Sequence, residues 1–238
     1  MAGVLEGIRV IDFGQYMAGP MAAMFLGDQG ADVIRIDPPG GPRWNTPANA
    51  TWNRNKRSIV LDLKKDADRD TARKLIAGAD VVIENFRPGV MDRLGVGAAE
   101  MTAAHPRLIY CSLPGFGADD PRAQVRAWEG VLGAATGAYR PNHAAAGEKK
   151  GQPVYTVIPY ASAYGAFLCA VTVAMTLNAR ERNGLGQRVE IPLFDATFTA
   201  LRKSGRNSWA ARCNSSCGTF TVFRSSLSSF LQYSNNAL

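Results

Sequence analysis

Two short runs decide the fold: Gly7-Ile-Arg-Val-Ile-Asp12 and Ala31-Asp-Val-Ile-Arg-Ile36. Both are rich in the β-branched residues that strands favour. Between them, an apolar stretch opens with Ala18-Gly19-Pro20 and ends at Gly27 and Gly30. Proline near the start and glycine past the end are typical of a helix. Strand, helix and strand within about 30 residues predict a βαβ unit with a right-handed crossover.

The same pattern repeats along the chain. Further strands are predicted at 58–63, 79–83, 107–112 and 188–193, with helices at 66–78, 91–94 and 162–181. Alternating strands and helices predict the α/β class, with a Rossmann-like, doubly wound and mostly parallel sheet.

Four loops follow predicted strands, at 14–19, 38–43, 84–89 and 114–117. In doubly wound sheets, ligands bind beyond the carboxyl ends of the strands, at a topological switch point. We therefore expect these loops to surround one cleft.

The positive charge of the chain is concentrated at its end. The 238 residues carry a net charge of +7, but five basic and no acidic residues follow Ala200, so residues 1–200 carry only +2. This distribution predicts no nucleic-acid partner for residues 1–200. We expect residues 1–200 to form the folded domain, and residues 201–238 to be an atypical basic, serine-rich tail that arose by frameshift or truncation. A tail that binds nucleic acid is the alternative.

Several ligand classes lack their sequence signatures. The turn from Phe13 to Pro20 does not match the Gly-x-Gly-x-x-Gly dinucleotide fingerprint. The histidines, His105 and His143, have no ligand-like neighbours, so no metal is expected. The N-terminal residues lack the pattern of a secretory signal, which predicts a cytoplasmic protein with reduced cysteines.

One stretch is free of charge for long enough to cross a bilayer. No charged residue occurs between Lys150 and Arg180, and about 20 apolar residues suffice for a span. Pro159, Gly165 and many small residues interrupt the stretch. We expect a core or subunit-interface helix here, and no membrane partner.

Two polar loops are candidate binding elements. Asn53-Arg-Asn-Lys-Arg-Ser58 places three basic residues directly before a strand, where either phosphates or solvent would surround them. Glu84-Asn-Phe-Arg-Pro-Gly-Val90 combines an acid, an amide, an aromatic ring and a guanidinium at the carboxyl end of a strand. Polar residues at that edge of a sheet are functional more often than those elsewhere.

Taken together, these segments resemble the family III CoA-transferases, which include formyl-CoA transferase, carnitine CoA-transferase and α-methylacyl-CoA racemase. The similarity extends from about Leu5 to Ala200. Each motif is short, but many motifs in one order and spacing are specific. They comprise 7–12, 18–20, 30–36, 55–59, 61–64, 79–81, 84–90, 93–95, 115–117, 179–187 and 194–196.

The resemblance implies a Rossmann-like large domain, a smaller second domain and two chains interlinked as a homodimer. Acyl-CoA thioesters and carboxylic acids would be the substrates, with coenzyme A lying along the large domain. The residues that bind it would be Gln15, Tyr16, Met17, Ala18, Leu61, Lys64, Asn85, Phe86, Arg93, Arg126 and Trp128. Glu129, near the reacting thioester, would be a catalytic residue. Such guanidinium and ammonium groups suit a diphosphate and a ribose phosphate.

The chain departs from the family pattern at the catalytic position. In the family, an aspartate before the long apolar helix attacks the thioester to form an anhydride, and in the racemase branch it moves the α-proton. The matching position here is Ser162, or Ala161 if the helix is offset by one, and no aspartate occurs between Asp120 and Asp195. We expect the usual anhydride route to be closed, because a serine hydroxyl is a poor nucleophile without a base.

The expected function is that of a CoA-transferase-like protein, which binds acyl-CoA thioesters and moves CoA between carboxylic acids. The alternatives are a catalytically silent subunit that binds CoA thioesters and a racemase-type enzyme. Because the resemblance stops near Ala200, we expect the small domain to be largely missing.

Overall fold

A six-stranded sheet forms the centre of the fold. The computed structural model describes residues 3–44, 46–139, 155 and 157–201. The strands are β1 (Arg9–Asp12), β2 (Asp32–Asp37), β3 (Lys56–Val60), β4 (Val81–Glu84), β5 (Ile109–Ser112) and β6 (Arg188–Glu190). Their order is β3-β2-β1-β4-β5-β6, and every neighbouring pair is parallel. This is the doubly wound order with its switch point between β1 and β4, so the predicted α/β class is confirmed.

Eight helices accompany the strands in the described part of the chain. They are α1 (Ala18–Asp28), α2 (Pro47–Trp52), α3 (Asp66–Ala77), α4 (Val90–Arg93), α5 (Ala98–Ala104), α6 (Glu129–Thr136), α7 (Tyr160–Asn183) and α8 (Leu193–Ala200). The sequence did not predict α2, α5, α6 and α8. Each of these has at most eight residues, whereas a helical period needs a window of about 11 residues or more.

All six strands differ from their predicted bounds by at most three residues at either end, and the largest differences are in β3 and β6. The strand predicted at 58–63 pairs with β2 over Lys56–Val60, so residues 61–64 leave the sheet at its carboxyl edge. The strand predicted at 188–193 ends at Glu190. Pro192, which has no N–H for a ladder, directly precedes α8.

Two hydrophobic clusters cover the two faces of the sheet. Neighbouring side chains of a strand point to opposite faces, so Val10 belongs to one cluster and Ile11 to the other. The first cluster includes residues of α1, α7 and α8, and the second includes residues of α3 and α5. Burial of both faces explains the nearly continuous apolar runs from which the strands were predicted.

The long helix α7 packs against α1 and α8. A Cβ on Gly165 would lie 2.2 Å from Cδ2 of Leu193, so any larger residue there would require the Leu193 side chain to move. On the outer face, Tyr164, Phe167 and Met175 are 43%, 56% and 60% exposed. By length and composition alone, α7 could also cross a membrane. Its packing supports a core or interface helix, and the absence of a membrane partner stays a prediction.

Some predictions fall outside the described residues. His143, Cys213, Cys217 and the tail beyond Leu201 are among them, so the predicted domain boundary is not tested. The other two cysteines, Cys111 and Cys169, are buried free thiols whose Sγ atoms lie 3.1 Å apart.

Candidate active-site cleft

An open cavity of about 910 Å³ lies beyond the carboxyl ends of the central strands. Its lining includes twelve of the thirteen residues singled out by resemblance: Gln15, Tyr16, Met17, Ala18, Leu61, Lys64, Asn85, Phe86, Arg126, Trp128, Glu129 and Ser162. The fold therefore brings together residues that are scattered over the sequence.

Arg93 is the exception. It is an exposed residue at the end of α4 and does not line the cavity. Its Nη1 lies 3.4 Å from the place of a Cβ built on Gly89. Arg43 and Arg87 line the cavity instead. Both belong to loops expected around the cleft, but the sequence did not indicate which of their side chains face it.

Asn85 and the turn after β1 hold each other in place. Oδ1 of Asn85 accepts the N–H of Gln15 at 2.7 Å, and Nδ2 donates to the carbonyl of Gln15 at 2.8 Å. Tyr16, the next residue, has a φ of 62°, which is an uncommon conformation for a bulky residue. Asn85 thus acts on the cleft through the shape of this turn, because both ends of its amide are already paired.

Two glycines allow the turn to close. A Cβ on Gly19 would lie 2.7 Å from the Cα of Gly14 and 3.2 Å from Oδ1 of Asn85. The N–H of Gly14 donates to Oδ1 of Asp12 at 2.7 Å. The turn is therefore anchored both to β4, through Asn85, and to the end of β1.

A buried ion pair supports the same turn from below. Nζ of Lys56 lies 2.8 Å from Oδ2 of Asp12, and the two side chains are 2% and 0% exposed. The same ammonium donates to the carbonyl of Pro20 in α1 at 2.7 Å. Burial lowers the pKa of Lys56, and the neighbouring charge of Asp12 opposes this shift.

The basic loop at 53–58 therefore does not reach the cleft. Lys56 is buried against Asp12, whereas Arg54 pairs with Asp28 and Arg57 with Asp32. None of these three cations lines the cavity. The ammonium of Lys56 is buried against the carboxylate of Asp12 in β1, two strands away in the sheet.

Glu84 closes the turn that carries Asn85. Its Oε2 accepts the N–H of Phe86 at 2.7 Å. Burial raises the pKa of Glu84 to about 7, against hydrogen bonds from Ser112 and Phe86 that lower it. A small cavity of about 40 Å³ lies beside Glu84 and is also lined by Arg188 and Glu190 of β6.

Cationic and aromatic side chains form the walls of the main cavity. The cations are Arg43, Lys64, Arg87 and Arg126. Tyr16 and Trp128 meet edge to face, with their ring centroids 5.1 Å apart. The cations suit the phosphate groups of a ligand, and the aromatic rings suit an apolar chain of the same ligand.

Gln15 lines the cavity, but its side-chain oxygen, Oε1, lies buried without a hydrogen-bond partner among the described residues. The residue is only 5% exposed. A buried acceptor without a donor costs free energy.

Glu129 meets the first turn of α7. Its Oε1 accepts the N–H of Ala161 at 2.6 Å. Its Oε2 accepts the N–H of Ser162 at 3.2 Å and the hydroxyl of Ser162 at 2.8 Å. The chain has no aspartate at this helix start, but the fold supplies a carboxylate from the start of α6. Within the described residues, no group of His, Cys, Asp and Glu side chains could hold a metal ion.

A parallel sheet of this order with an open cleft at its switch point defines a Rossmann-type α/β protein. A model of the CoA-transferase family III matches residues 5–214. The chain belongs to this family, which confirms the resemblance. The matched range extends past Ala200, where the predicted domain ends.

Curated relatives and solved structures agree with this assignment. The chain is 43% identical over 201 residues to the CoA-transferase/lyase DddD of Marinomonas sp. (strain MWYL1), covering 83% of this chain and 24% of the relative. It is 36% identical over 211 residues to the acetyl-CoA:oxalate CoA-transferase of Acetobacter aceti, covering 84% and 53%. A crystal structure of the hypothetical protein Rv3272 from Mycobacterium tuberculosis superposes with a TM-score of 0.77 at 33% identity, covering 84% and 57%. The chain thus spans about half the length of such relatives, or less.

Proposed function

We propose that this chain binds acyl-CoA thioesters in the main cavity and transfers CoA between carboxylic acids. The observation that carries the proposal is the cavity itself, because twelve residues matched to the family line one space of about 910 Å³. That volume lies within the range of small-molecule and cofactor sites.

The charges of the lining support a phosphate-bearing substrate. Four cations line the cavity, Arg43, Lys64, Arg87 and Arg126, against two carboxylates, Asp62 and Glu129. Guanidinium and ammonium groups are the usual donors to phosphate oxygens.

The names of relatives support the substrate class. One relative is an acetyl-CoA:oxalate CoA-transferase, and another, from Haloarcula hispanica, is a succinyl-CoA:mesaconate CoA-transferase. Each name pairs an acyl-CoA donor with a carboxylic acid. We extend this pairing to the present chain without choosing the acid.

The proposal also covers the cellular location and the oligomeric state of the protein. Coenzyme A thioesters are intracellular metabolites, and we propose the cytoplasm as the location of the chain. The apolar outer face of α7, with Tyr164 and Phe167 exposed, fits a contact with a second copy in a homodimer. No metal takes part in this scheme.

A second candidate is a subunit that binds CoA thioesters without turnover. It is favoured by one observation, the serine at position 162 where the family has an aspartate. Isotope exchange between labelled acyl-CoA and a free acid separates the two candidates, since a silent subunit retains the label without exchanging it.

Calorimetric titration with coenzyme A tests the binding step. We expect micromolar affinity, weakened about tenfold or more when Arg43 and Lys64 are both changed to glutamine. A matched control is Arg57→Gln with Lys74→Gln, because neither of these residues lines the cavity. Failure of a folded wild-type chain to bind coenzyme A would contradict the proposal.

A further inference from the structure

The carboxylate of Glu129 lies at the start of α7, next to the position where an aspartate was expected. It lines the main cavity together with Ser162, Gln15 and Trp128. Asp62 also lines this cavity, but it follows Leu61 at the end of β3. Among the described lining residues, Glu129 is therefore the one carboxylate at the α7 side of the cavity.

The three contacts of Glu129 are all donated to it. The N–H of Ala161 reaches Oε1, and the N–H and hydroxyl of Ser162 reach Oε2. An ionised carboxylate acts only as an acceptor. Glu129 also lies in the first turns of two helices at once, as the first residue of α6 and as the acceptor at α7. The positive ends of both helices stabilise negative charge at this point.

The two oxygens of Glu129 are held unequally. Oε1 is fixed by the short bond of 2.6 Å from the backbone of Ala161. Oε2 has a longer backbone contact of 3.2 Å and a hydroxyl at 2.8 Å that is free to rotate. Oε2 is therefore the oxygen that leaves its partners more readily to attack a substrate.

We propose that Glu129 is the covalent nucleophile of this chain, in place of the aspartate of the family. This inference rests on the proposed CoA transfer and names the residue that carries it out. The hydroxyl of Ser162 orients the carboxylate and forms no covalent bond.

The first half of the reaction needs no outside reagent. Oε2 of Glu129 attacks the carbonyl carbon of the acyl-CoA, the C–S bond breaks and CoA leaves as a thiolate. The product on the protein is a mixed anhydride. The thiolate then attacks Cδ of Glu129, the C–O bond of the anhydride breaks and the donor acid leaves as a carboxylate. Glu129 now carries CoA as a thioester.

The second half repeats these steps with the acceptor acid. Its carboxylate attacks Cδ of Glu129 and displaces the thiolate, which then attacks the carbonyl carbon of the new anhydride. The new acyl-CoA leaves and the carboxylate of Glu129 is restored. In the attacks on Cδ, charge develops on the oxygen that faces the N–H of Ala161, where a backbone donor is already in place. The overall reaction therefore consumes and releases no proton and no electron.

The sequence of the chain makes the covalent step easy to locate. Tryptic cleavage after Arg126 and Lys149 releases residues 127–149, because the Arg140–Pro141 bond resists trypsin, and this fragment holds two acidic side chains, Glu129 and Glu148. Ser162 lies in a different fragment, between Lys150 and Arg180. Peptide mass therefore distinguishes an adduct on Glu129 from one on Ser162, and fragment-ion masses distinguish Glu129 from Glu148.

The test uses the full chain, an acyl-CoA and an acceptor acid labelled with ¹⁸O in its carboxylate. We expect ¹⁸O in Glu129 after turnover, and a hydroxamate on Glu129 when the reaction is stopped with hydroxylamine. Glu129→Gln should lower turnover by about a thousandfold or more while coenzyme A still binds in calorimetry. The matched control, Glu100→Gln, changes an exposed carboxylate of α5 that pairs with Arg73, and should keep wild-type turnover.

The outcomes separate this inference from the proposed function. If turnover occurs and the label or the hydroxamate is found on Ser162, Glu129 is not the nucleophile. The same holds if Glu129 carries neither the label nor the hydroxamate. In both cases the proposed CoA transfer still stands. Binding of coenzyme A without any turnover also overturns it. Absence of coenzyme A binding in a folded chain overturns the proposed function itself. If Glu129→Gln does not fold, the ¹⁸O experiment on the wild-type chain still decides.

Discussion

The two ends of the cleft are built in different ways. At the turn end, defined here as residues 13–18 with Asn85, loops that directly follow β1 and β4 hold each other through backbone and amide groups. At the helix end, defined as Glu129 and Ser162, two helices that are distant in sequence meet through one carboxylate. The turn end thus depends on neighbouring strands, whereas the helix end depends on how α6 and α7 pack.

This difference explains where the chain keeps the family pattern and where it departs from it. Changing a residue of the turn end disturbs the sheet edge, since Asp12 and Lys56 lie buried beneath it. The start of α7 needs only an acceptor for its free N–H groups, and Glu129 supplies one whichever residue stands at 162. We expect the two ends to respond differently to substitution.

The largest effect is expected from Lys56→Met. The change leaves Asp12 charged and buried without its partner, which should lower the free energy of unfolding by about 3–5 kcal/mol. Urea unfolding measures this. Arg57→Met is the matched control, because Arg57 and Asp32 are exposed and such pairs contribute at most about 1 kcal/mol. Equal losses for the two variants would mean that the buried pair does not support the turn end.

A pH-dependent effect is expected from Glu84. The pKa of Glu84 is about 7 in the folded chain and 4.5 in the ordinary reference state, so the folded state binds the proton more tightly. The contribution of Glu84 to stability is therefore present below about pH 4.5 and is lost as the pH rises to about 7, by up to about 3 kcal/mol.

Glu84→Gln should remove this pH dependence. The variant is expected to be more stable than wild type at pH 8 and similar to it near pH 4, as measured by urea unfolding at each pH. Glu100→Gln, which changes an exposed carboxylate, should keep the wild-type profile. If the unfolding free energy of Glu84→Gln depends on pH as that of the wild type does, the pKa of Glu84 is not raised in the folded chain.

Asn85→Ala should weaken both stability and binding. Two hydrogen bonds to the backbone of Gln15 are lost, which corresponds to about 2 kcal/mol of unfolding free energy. The affinity for coenzyme A should fall about tenfold, because the turn no longer has one shape. Asn178→Ala, on the exposed side of α7, is the control. Unchanged affinity in Asn85→Ala would mean that the turn end does not shape the site.

The smallest effect on stability is expected at the helix end. Ser162→Ala removes the hydroxyl bond to Oε2 of Glu129 but keeps both backbone N–H contacts. The free energy of unfolding should fall by about 1 kcal/mol or less, and coenzyme A affinity should stay the same. Turnover should fall by about tenfold at most, since the carboxylate remains. Complete loss of turnover would assign the covalent role to Ser162.

Much of the fold could be predicted from local patterns. The β1–α1–β2 unit was predicted because its strands are apolar runs and its helix begins at a proline-containing motif. The short helix α6 was not predicted, although it begins with Glu129. Eight residues are too few to show a period, and a helix of this length forms through tertiary packing.

The site was predicted in part. The residues of the turn end were found because they follow strands, and the carboxyl ends of parallel strands meet at one edge. Arg43 was missed as a lining residue, Arg87 was indicated only as part of the polar loop 84–90, and Arg93 was expected at the cavity but does not line it. The direction of a loop side chain depends on contacts elsewhere. Arg87, for example, donates to the carbonyl of Gln124 at 2.9 Å.

By itself, the sequence determined the α/β class, the order of the strands and of the longer helices, and the absence of an aspartate before α7. These are properties of residue types and their spacing along the chain. Only the tertiary structure decided that Lys56 pairs with Asp12 inside the protein, and that Glu129 reaches the start of α7 across more than 30 positions of sequence. Contacts of this kind depend on which helices pack side by side, and that is fixed by the burial of apolar surface over the whole sheet.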